Sequence, residues 1–400
     1  MNMNATASAE RIHIGFFGRR NAGKSSLVNA VTGQNLAVVS DVAGTTTDPV
    51  QKAMELLPLG PVVIIDTPGI DDVGELGALR VEKTRETLRR THIAILVVDA
   101  SSGLQEDDQK LLAIFREEKI PHLTVYNKSD LLSDIPAAPA DSIYVSAKDN
   151  LRIHELKEMM AQLVAPAQPQ KELLDGIIAP GDTAVLVVPL DESAPKGRLI
   201  LPQQHTIQQL LVNGAKAVVA RDSELPEALA ALRENPTIVI TDSQVFGPVS
   251  KMVPQEIPLT SFSILFARYK GDLCAAVRGA AQLDHLRDGD TVLISEGCTH
   301  HRQCGDIGTV KLPAWIRKYT GKEINFAFTS GREFPEDLSP YALVIHCGGC
   351  MLNDREMMTR TRYAGRCQVP MTNYGIAIAQ MHGILRRSLS PFPDALAELK

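Results

Sequence analysis

Along the first part of the chain, apolar runs end in polar motifs. RIHIGFFG (11–18), PVVIIDTPG (61–69), HIAILVVDAS (92–101) and HLTVYNKSD (122–130) are apolar at nearly every position before the polar end. Runs of this kind predict strands buried on both faces, with function at their carboxyl ends. Helical patterns lie between them. SSLVNAVTG (25–33) predicts a helix ended by Gly33, and further helices are expected over 75–90, 106–118 and about 151–164. Strand alternating with helix predicts a doubly wound α/β domain with a parallel-rich sheet.

APAQPQ (165–170) has linker composition, and a second α/β pattern follows it. TAVLVVPL (183–190), AKAVVA (215–220) and TIVITD (237–242) read as strands, with helices over 205–214 and 225–235. This segment carries no phosphate loop or titratable cluster, which suggests docking or dimerisation. KMVPQEIP (251–258) marks a second boundary. Beyond it, DTVLISE (290–296), INFAFTS (324–330) and YALVIHC (341–347) read as strands of a third α/β region. The expected organisation is a domain over 1–165, a linker over 166–176, a second domain over 177–258 and a third over 259–400. No internal repeat is visible.

At 400 residues, 44% hydrophobic and 22% charged, the chain has globular composition and material for several cores. The net charge of −6 argues against non-specific nucleic-acid binding over the whole surface. Charge is uneven: the region after residue 297 has a basic excess, suited to an anionic ligand, an acidic partner or a solvated Arg face. No signal-peptide pattern opens the chain, and no apolar run reaches the length of a membrane span. A cytoplasmic protein with no membrane partner is expected. Disulfides are rare there, so the six Cys are read as metal ligands, reactive thiols or core residues.

The first domain carries four ordered motifs. GRRNAGKS (18–25) fits the phosphate-loop pattern. Gly18 and Gly23 let the backbone wrap phosphate, Lys24 reaches the β- and γ-phosphates, and Ser25 is a Mg²⁺ ligand. The loop alone would equally suit an ATPase. NKSD (127–130) decides the base, because Asp130 can accept both N1–H and N2–H₂ of guanine, a donor pair that adenine lacks. Asn127 supports the base edge, and the Ala147 amide of SAK (146–148) can meet the guanine O6. Ser26, Lys128, Ser146 and Lys148 complete the candidate GTP-binding set.

Residues 11–164 resemble the translation-factor-like GTPases, especially the Era and tRNA-modification branch. The resemblance aligns DVAGTTTDP (41–49) with switch I and implies Thr46 as a Mg²⁺ ligand. It also implies that Asp66 holds the metal through water and that the Gly69 amide senses the γ-phosphate. Ile70, Asp71 and Asp72 follow Gly69 where Ras-like enzymes place a water-orienting Gln, so slow intrinsic hydrolysis is expected. Asn21, three residues before Lys24, matches an Asn that helps bind K⁺ in this branch, which implies K⁺ stimulation.

The tail carries CTH (298–300) and HCGGC (346–350). Cys347 and Cys350 are spaced to face one metal across a Gly-rich turn, and Cys298 is the third thiol. His300 and His346 flank these cysteines. Three thiolates suit a [4Fe–4S] cluster with one open iron. Three Cys with one His equally suit a structural zinc site, and spacing alone leaves both open. Cys304 is a spare thiol; Cys274 and Cys367 read as core or surface residues. A helix predicted over 352–365 would point its amino terminus at the site, with Arg355, Arg360, Arg362 and Arg366 adding positive charge for an anionic iron unit.

The order GTPase, middle domain, C-x-H, H-C-x-x-C resembles the HydF family of [FeFe]-hydrogenase maturation GTPases over essentially all 400 residues. The resemblance implies a [4Fe–4S] cluster on Cys298, Cys347 and Cys350, with His300 and His346 as candidates for the fourth position. It implies a middle domain that forms a homodimer. It further implies scaffolding of a transient di-iron CO/CN precursor for apo-[FeFe]-hydrogenase, alongside radical-SAM maturation enzymes, with GTP hydrolysis modulating these contacts. The alternative is a regulatory GTPase with a zinc-stabilised carboxyl-terminal binding module. The scarcity of aromatics, 4%, gives no stacking platform for nucleic acid.

Overall fold

A computed structural model describes residues 8–34, 50–67, 84–164, 172–189, 199–297, 307–331 and 333–399. The chain divides into two compact units, Met1–Gln170 and Lys171–Lys400. Among the described residues no helix is long and apolar enough to cross a membrane.

The first unit contains a 6-stranded sheet in the order β2-β3-β1-β4-β5-β6. Its strands are β1 (Ile12–Phe17), β2 (Val50–Leu56), β3 (Gly60–Asp66), β4 (Ile93–Asp99), β5 (His122–Asn127) and β6 (Ser142–Tyr144). Only β2 runs antiparallel, paired with β3. The apolar runs of the sequence are the central strands, and alternation divides their side chains between two cores. Ile93, Ile95 and Val97 of β4 pack with Leu27, Val28, Leu156 and Met160 on one face. Ala94, Leu96 and Val98 pack with Phe17, Leu111 and Phe115 on the other. Burial of each large aliphatic side chain contributes about 1.5–3 kcal/mol, so two dry faces hold this sheet together. β1 lies between β3 and β4, where the strand order reverses; crevices at such switch points receive ligands.

Sequence patterning did not anticipate β2 or β6. β2 is an edge strand that mixes polar and apolar residues, and β6 is only 3 residues long. Of the helix expected over 75–90, residues 84–89 are helical and Arg90 forms a turn; 75–83 lie outside the described residues. The helix Glu106–Glu117 opens with a capping box, in which the Asp108 carboxylate accepts from the Gln105 amide at 3.1 Å.

The second unit holds two parallel 4-stranded sheets. One has the order β10-β9-β7-β8 and the other β12-β11-β13-β14. The first is built from β7 (Thr183–Val187), β8 (Lys216–Ala220), β9 (Ile238–Thr241) and β10 (Leu259–Ser261). The second comprises β11 (Thr291–Glu296), β12 (Asn325–Ser330), β13 (Leu343–His346) and β14 (Met371–Asn373).

Two expected boundaries need correction. β10 lies beyond residue 258 yet pairs with β9, so a division after 258 cuts through the sheet. Leu173 and Leu174, inside the expected linker over 166–176, are fully buried in the core of that sheet. The same core takes in the helices Phe262–Lys270 and Leu273–Ala280, and then Ile376, Leu385, Leu389 and Phe392 from the far end of the chain. Patterning misses this because the covering residues are distant in sequence. The 251–258 loop is tied down by Arg387, which donates to the carbonyls of Ser250 at 2.8 Å and Val253 at 3.0 Å. At Gly279 an added Cβ would lie 2.1 Å from the Met371 carbonyl oxygen, so glycine allows this helix to press against β14.

Candidate functional site

The nucleotide motifs converge at the carboxyl end of the first sheet. Gly18 (φ 138°) and Gly23 (φ 86°) take backbone conformations that L side chains resist. A Cβ at Gly18 would stand 2.2 Å from the Val97 carbonyl oxygen. The loop therefore bends tightly over β4 before the helix Lys24–Thr32. Asn21 adopts φ 60°, a left-handed conformation that Asn tolerates, and its side chain is exposed. Lys24 is buried, and its Nζ donates to the carbonyls of Gly18 at 3.0 Å and Arg19 at 2.8 Å. That ammonium lies over the loop whose amides would cradle phosphate. Ser26 is half-buried on the next position of the helix.

Ser25 Oγ donates to Asp66 Oδ2 at 2.7 Å. Asp66 Oδ1 is buried and has no hydrogen-bond partner among the described residues. Burial pushes the Asp66 carboxyl up, with partial relief from the Ser25 hydroxyl and the Lys24 charge. An orphaned carboxylate oxygen beside a serine hydroxyl is a donor set that fits a hard divalent cation such as Mg²⁺. Thr46 and Gly69 lie outside the described residues.

The base-recognition motifs are cross-linked to the phosphate loop. Asn127 Nδ2 donates to the Ala22 carbonyl at 3.2 Å, and Asn127 Oδ1 accepts from the Ala147 amide at 3.0 Å. One buried side chain thus joins three motifs. Ser146 Oγ donates to Asp130 Oδ1 at 2.7 Å, which orients the exposed carboxylate expected to meet guanine. Lys128 (φ 63°) pairs with Asp99 Oδ2 at 2.8 Å, bracing the turn from β4. Lys148 is exposed at the rim. Arg19 binds Asp108 at 3.2 Å, anchoring the loop to the helix Glu106–Glu117. No motif identified Asp99 or Asp108; a polar residue at a strand's carboxyl end was the available signal for Asp99.

The second candidate site follows β13. Cys347 and Cys350 flank a turn in which Gly349 has φ 63°. A Cβ at Gly349 would come 2.6 Å from Met357 Sδ, which would have to shift, and the positive φ itself favours glycine. Cys347 Sγ accepts from the Gly297 amide at 3.0 Å and from the Gly349 amide at 3.4 Å. Gly297 immediately precedes Cys298 in sequence. Backbone N–H donors on a sulfur favour its thiolate, so the turn fits a metal-bound cysteine. Burial, followed by the neighbouring Cys347, pushes the Cys350 thiol up to about 11, while Lys270 acts in the opposite direction. A cation would reverse that balance. Cys298, Cys304 and His300 lie outside the described residues. Among the described residues, no group of three or more His, Cys, Asp and Glu is gathered for a metal.

His346 is completely buried, and both its ring nitrogens are engaged. Nδ1 donates to the Cys347 carbonyl at 2.8 Å, and Nε2 accepts from Arg360 at 3.0 Å. A fourth-ligand role for His346 would require Nε2 to exchange Arg360 for the metal. The expectation of Arg360 as a residue for anionic cargo is corrected. It is buried, bonded to Glu356 at 2.7 Å and stacked 5.1 Å from the Phe334 ring centroid. Arg362 and Arg366 are exposed on the same helix, Asp354–Arg366, whose N-cap Asn353 accepts from the Glu356 amide at 2.9 Å. Lys270, missed by sequence reading, touches the Cys turn from a helix of the other sheet's core.

Comparison with known proteins divides along the same lines. Residues 13–128 match a family model described as 50S ribosome-binding GTPase. Similar relatives include the tRNA modification GTPase MnmE of Carboxydothermus hydrogenoformans, 44% identical over 116 residues, 29% of this chain and 24% of that protein. The MnmE of Thiobacillus denitrificans is 32% identical over 154 residues, 38% of this chain and 34% of that protein. The chain thus spans about a third or less of the length of these curated relatives. Era in complex with MgGDPNP and a 16S ribosomal RNA segment is 18% identical, with a TM-score of 0.35, covering 52% of this chain and 91% of that one. Residues 173–271 match the hydrogen maturase F dimerization domain, and 274–391 match its tetramerization domain. These two models together take in more than half of the chain, and a GTPase domain precedes them. The chain belongs to the hydrogen maturase F family.

Proposed function

We propose that this protein is a GTP-hydrolysing scaffold that holds a [4Fe–4S] cluster on Cys298, Cys347 and Cys350. In this reading it carries a di-iron CO/CN precursor, its cargo, to apo-[FeFe]-hydrogenase. The observation that carries the proposal is the Gly297 amide on Cys347 Sγ at 3.0 Å. It brings the residue before Cys298 against the first thiol of a C-x-x-C turn. Lys24 would neutralise phosphate charge, Ser25 and Asp66 would hold Mg²⁺, and Asp130 would select guanine. Thr46 and Gly69 would report the γ-phosphate. The cluster would supply an open iron to which cargo can bridge. The fourth position would fall to His300, to His346 on exchange of its Arg360 bond, or to an exchangeable ligand.

Anaerobic purification followed by iron, sulfide and zinc analysis tests this. About four iron and four sulfide per chain, with absorption near 400 nm bleached by dithionite, is the expected result for three thiolates on one [4Fe–4S] cluster. One zinc with no iron after reconstitution would replace the scaffold with a zinc-stabilised module. Hydrolysis should be slow and faster in K⁺ than in Na⁺, through Asn21; equal rates in the two salts would remove that role.

A further inference from the structure

Lys270 is the last residue of the helix Phe262–Lys270, whose Phe262, Ile264, Leu265 and Phe266 lie in the core around β7–β10. Its side chain is only 3% exposed. It does not point into that core. Nζ donates to the Leu352 carbonyl at 2.8 Å and the Cys350 carbonyl at 3.1 Å, and reaches the Gly349 carbonyl at 3.5 Å. An ammonium has three donors, and three consecutive-turn carbonyls meet them. The Phe266 ring lies 5.6 Å away and adds its negative face. A buried charge is costly unless it is compensated, so this placement points to a role.

Those carbonyls belong to the turn that carries Cys347 and Cys350. The Gly349 and Cys350 carbonyls share their peptides with the Cys350 and Met351 amides, which hydrogen-bond toward the Cys350 thiol. The Gly349 amide, on the preceding peptide, donates to Cys347 Sγ at 3.4 Å. The fixed charge also stands beside Cys350. A cluster on three thiolates is anionic and gains another negative charge on reduction, so a neighbouring buried cation favours the reduced state.

We propose that Lys270 is a positioning residue for the cluster site: it holds the Cys347–Cys350 turn in shape and raises the reduction potential of the cluster bound there. This rests on the iron–sulfur reading above. It also joins two family regions, since Lys270 falls within 173–271 and the turn within 274–391. The core that supports one region thereby sets the geometry of the metal loop in the other.

The test uses the full chain as wild type, Lys270→Gln and Lys270→Arg. Two properties are read: hydrogen exchange of the 347–353 peptide in the metal-free chain, and the midpoint potential of the reconstituted cluster by EPR-monitored titration. Lys270→Gln should exchange at least about tenfold faster, as expected for losing charge-assisted hydrogen bonds. Its midpoint potential should move to more negative values, while Lys270→Arg stays nearer the wild type. An unchanged potential in Lys270→Gln with full iron content overturns the proposal. If Lys270→Gln takes up no iron, the exchange data decide: wild-type protection of the turn overturns the proposal, and faster exchange supports it. If the wild type itself binds no iron, the iron–sulfur reading fails, and the potential assigned to Lys270 fails with it.

Discussion

Asn127 shows how much a single side chain can organise. Its amide links Ala22 of the phosphate loop to Ala147 of the SAK motif, so the motifs expected to meet phosphate and base share one buried side chain. Two residue-scale predictions follow from the neighbouring roles. Lys24→Ala removes the ammonium over the loop and should lower GTP hydrolysis by at least about a hundredfold, the scale of losing one preorganised charge-stabilising donor. Single-turnover assays would read it, and iron content should not change, because Cys347 and Cys350 belong to the other unit. Asp130→Asn exchanges a double acceptor for an acceptor and a donor. Binding should shift from guanosine toward xanthosine nucleotide, and unchanged GTP preference in competition titrations would overturn the assignment of Asp130 to the base.

At the scale of elements, the candidate site residues sit where parallel strands end. β1 and β3 deliver the phosphate loop and Asp66, β5 delivers NKSD, and β13 delivers Cys347. In each case a dry strand gives way to a polar turn, because the last peptide groups must leave the sheet and find other partners. The helix Leu273–Ala280 is held to β14 by the absence of a side chain at Gly279. Gly279→Val should force the two apart, at a cost of about 1–3 kcal/mol typical of overpacking. A lower urea midpoint with an unchanged slope would confirm it; a wild-type midpoint would show that the contact yields freely.

The chain divides into two compact units, each with its own cores. A fragment ending at Gln170 retains both faces of the first sheet and should fold and bind GTP by itself. A fragment covering 171–258 lacks β10, the helices Phe262–Lys270 and Leu273–Ala280, and the Leu385, Leu389 and Phe392 side chains that cover the second sheet. It should be insoluble or molten, with weak near-ultraviolet circular dichroism. Cooperative unfolding of that fragment would show that the middle sheet needs none of them.

Much of this was legible from sequence because it is local. A strand buried on both faces must be apolar throughout, and a phosphate loop must place Gly, Lys and Ser at set spacings. The central strands, GRRNAGKS, NKSD and the HCGGC turn could therefore be read directly, as could the order of regions that marks the family. What tertiary structure decided depends on residues far apart in the chain. β10 joins its sheet across the expected boundary, Arg387 closes the 251–258 loop, and Arg360 engages His346. Lys270 meets the Cys turn about 80 positions away. No local spacing encodes such meetings, because they arise only when packing of distant apolar faces has brought the polar groups between them into reach.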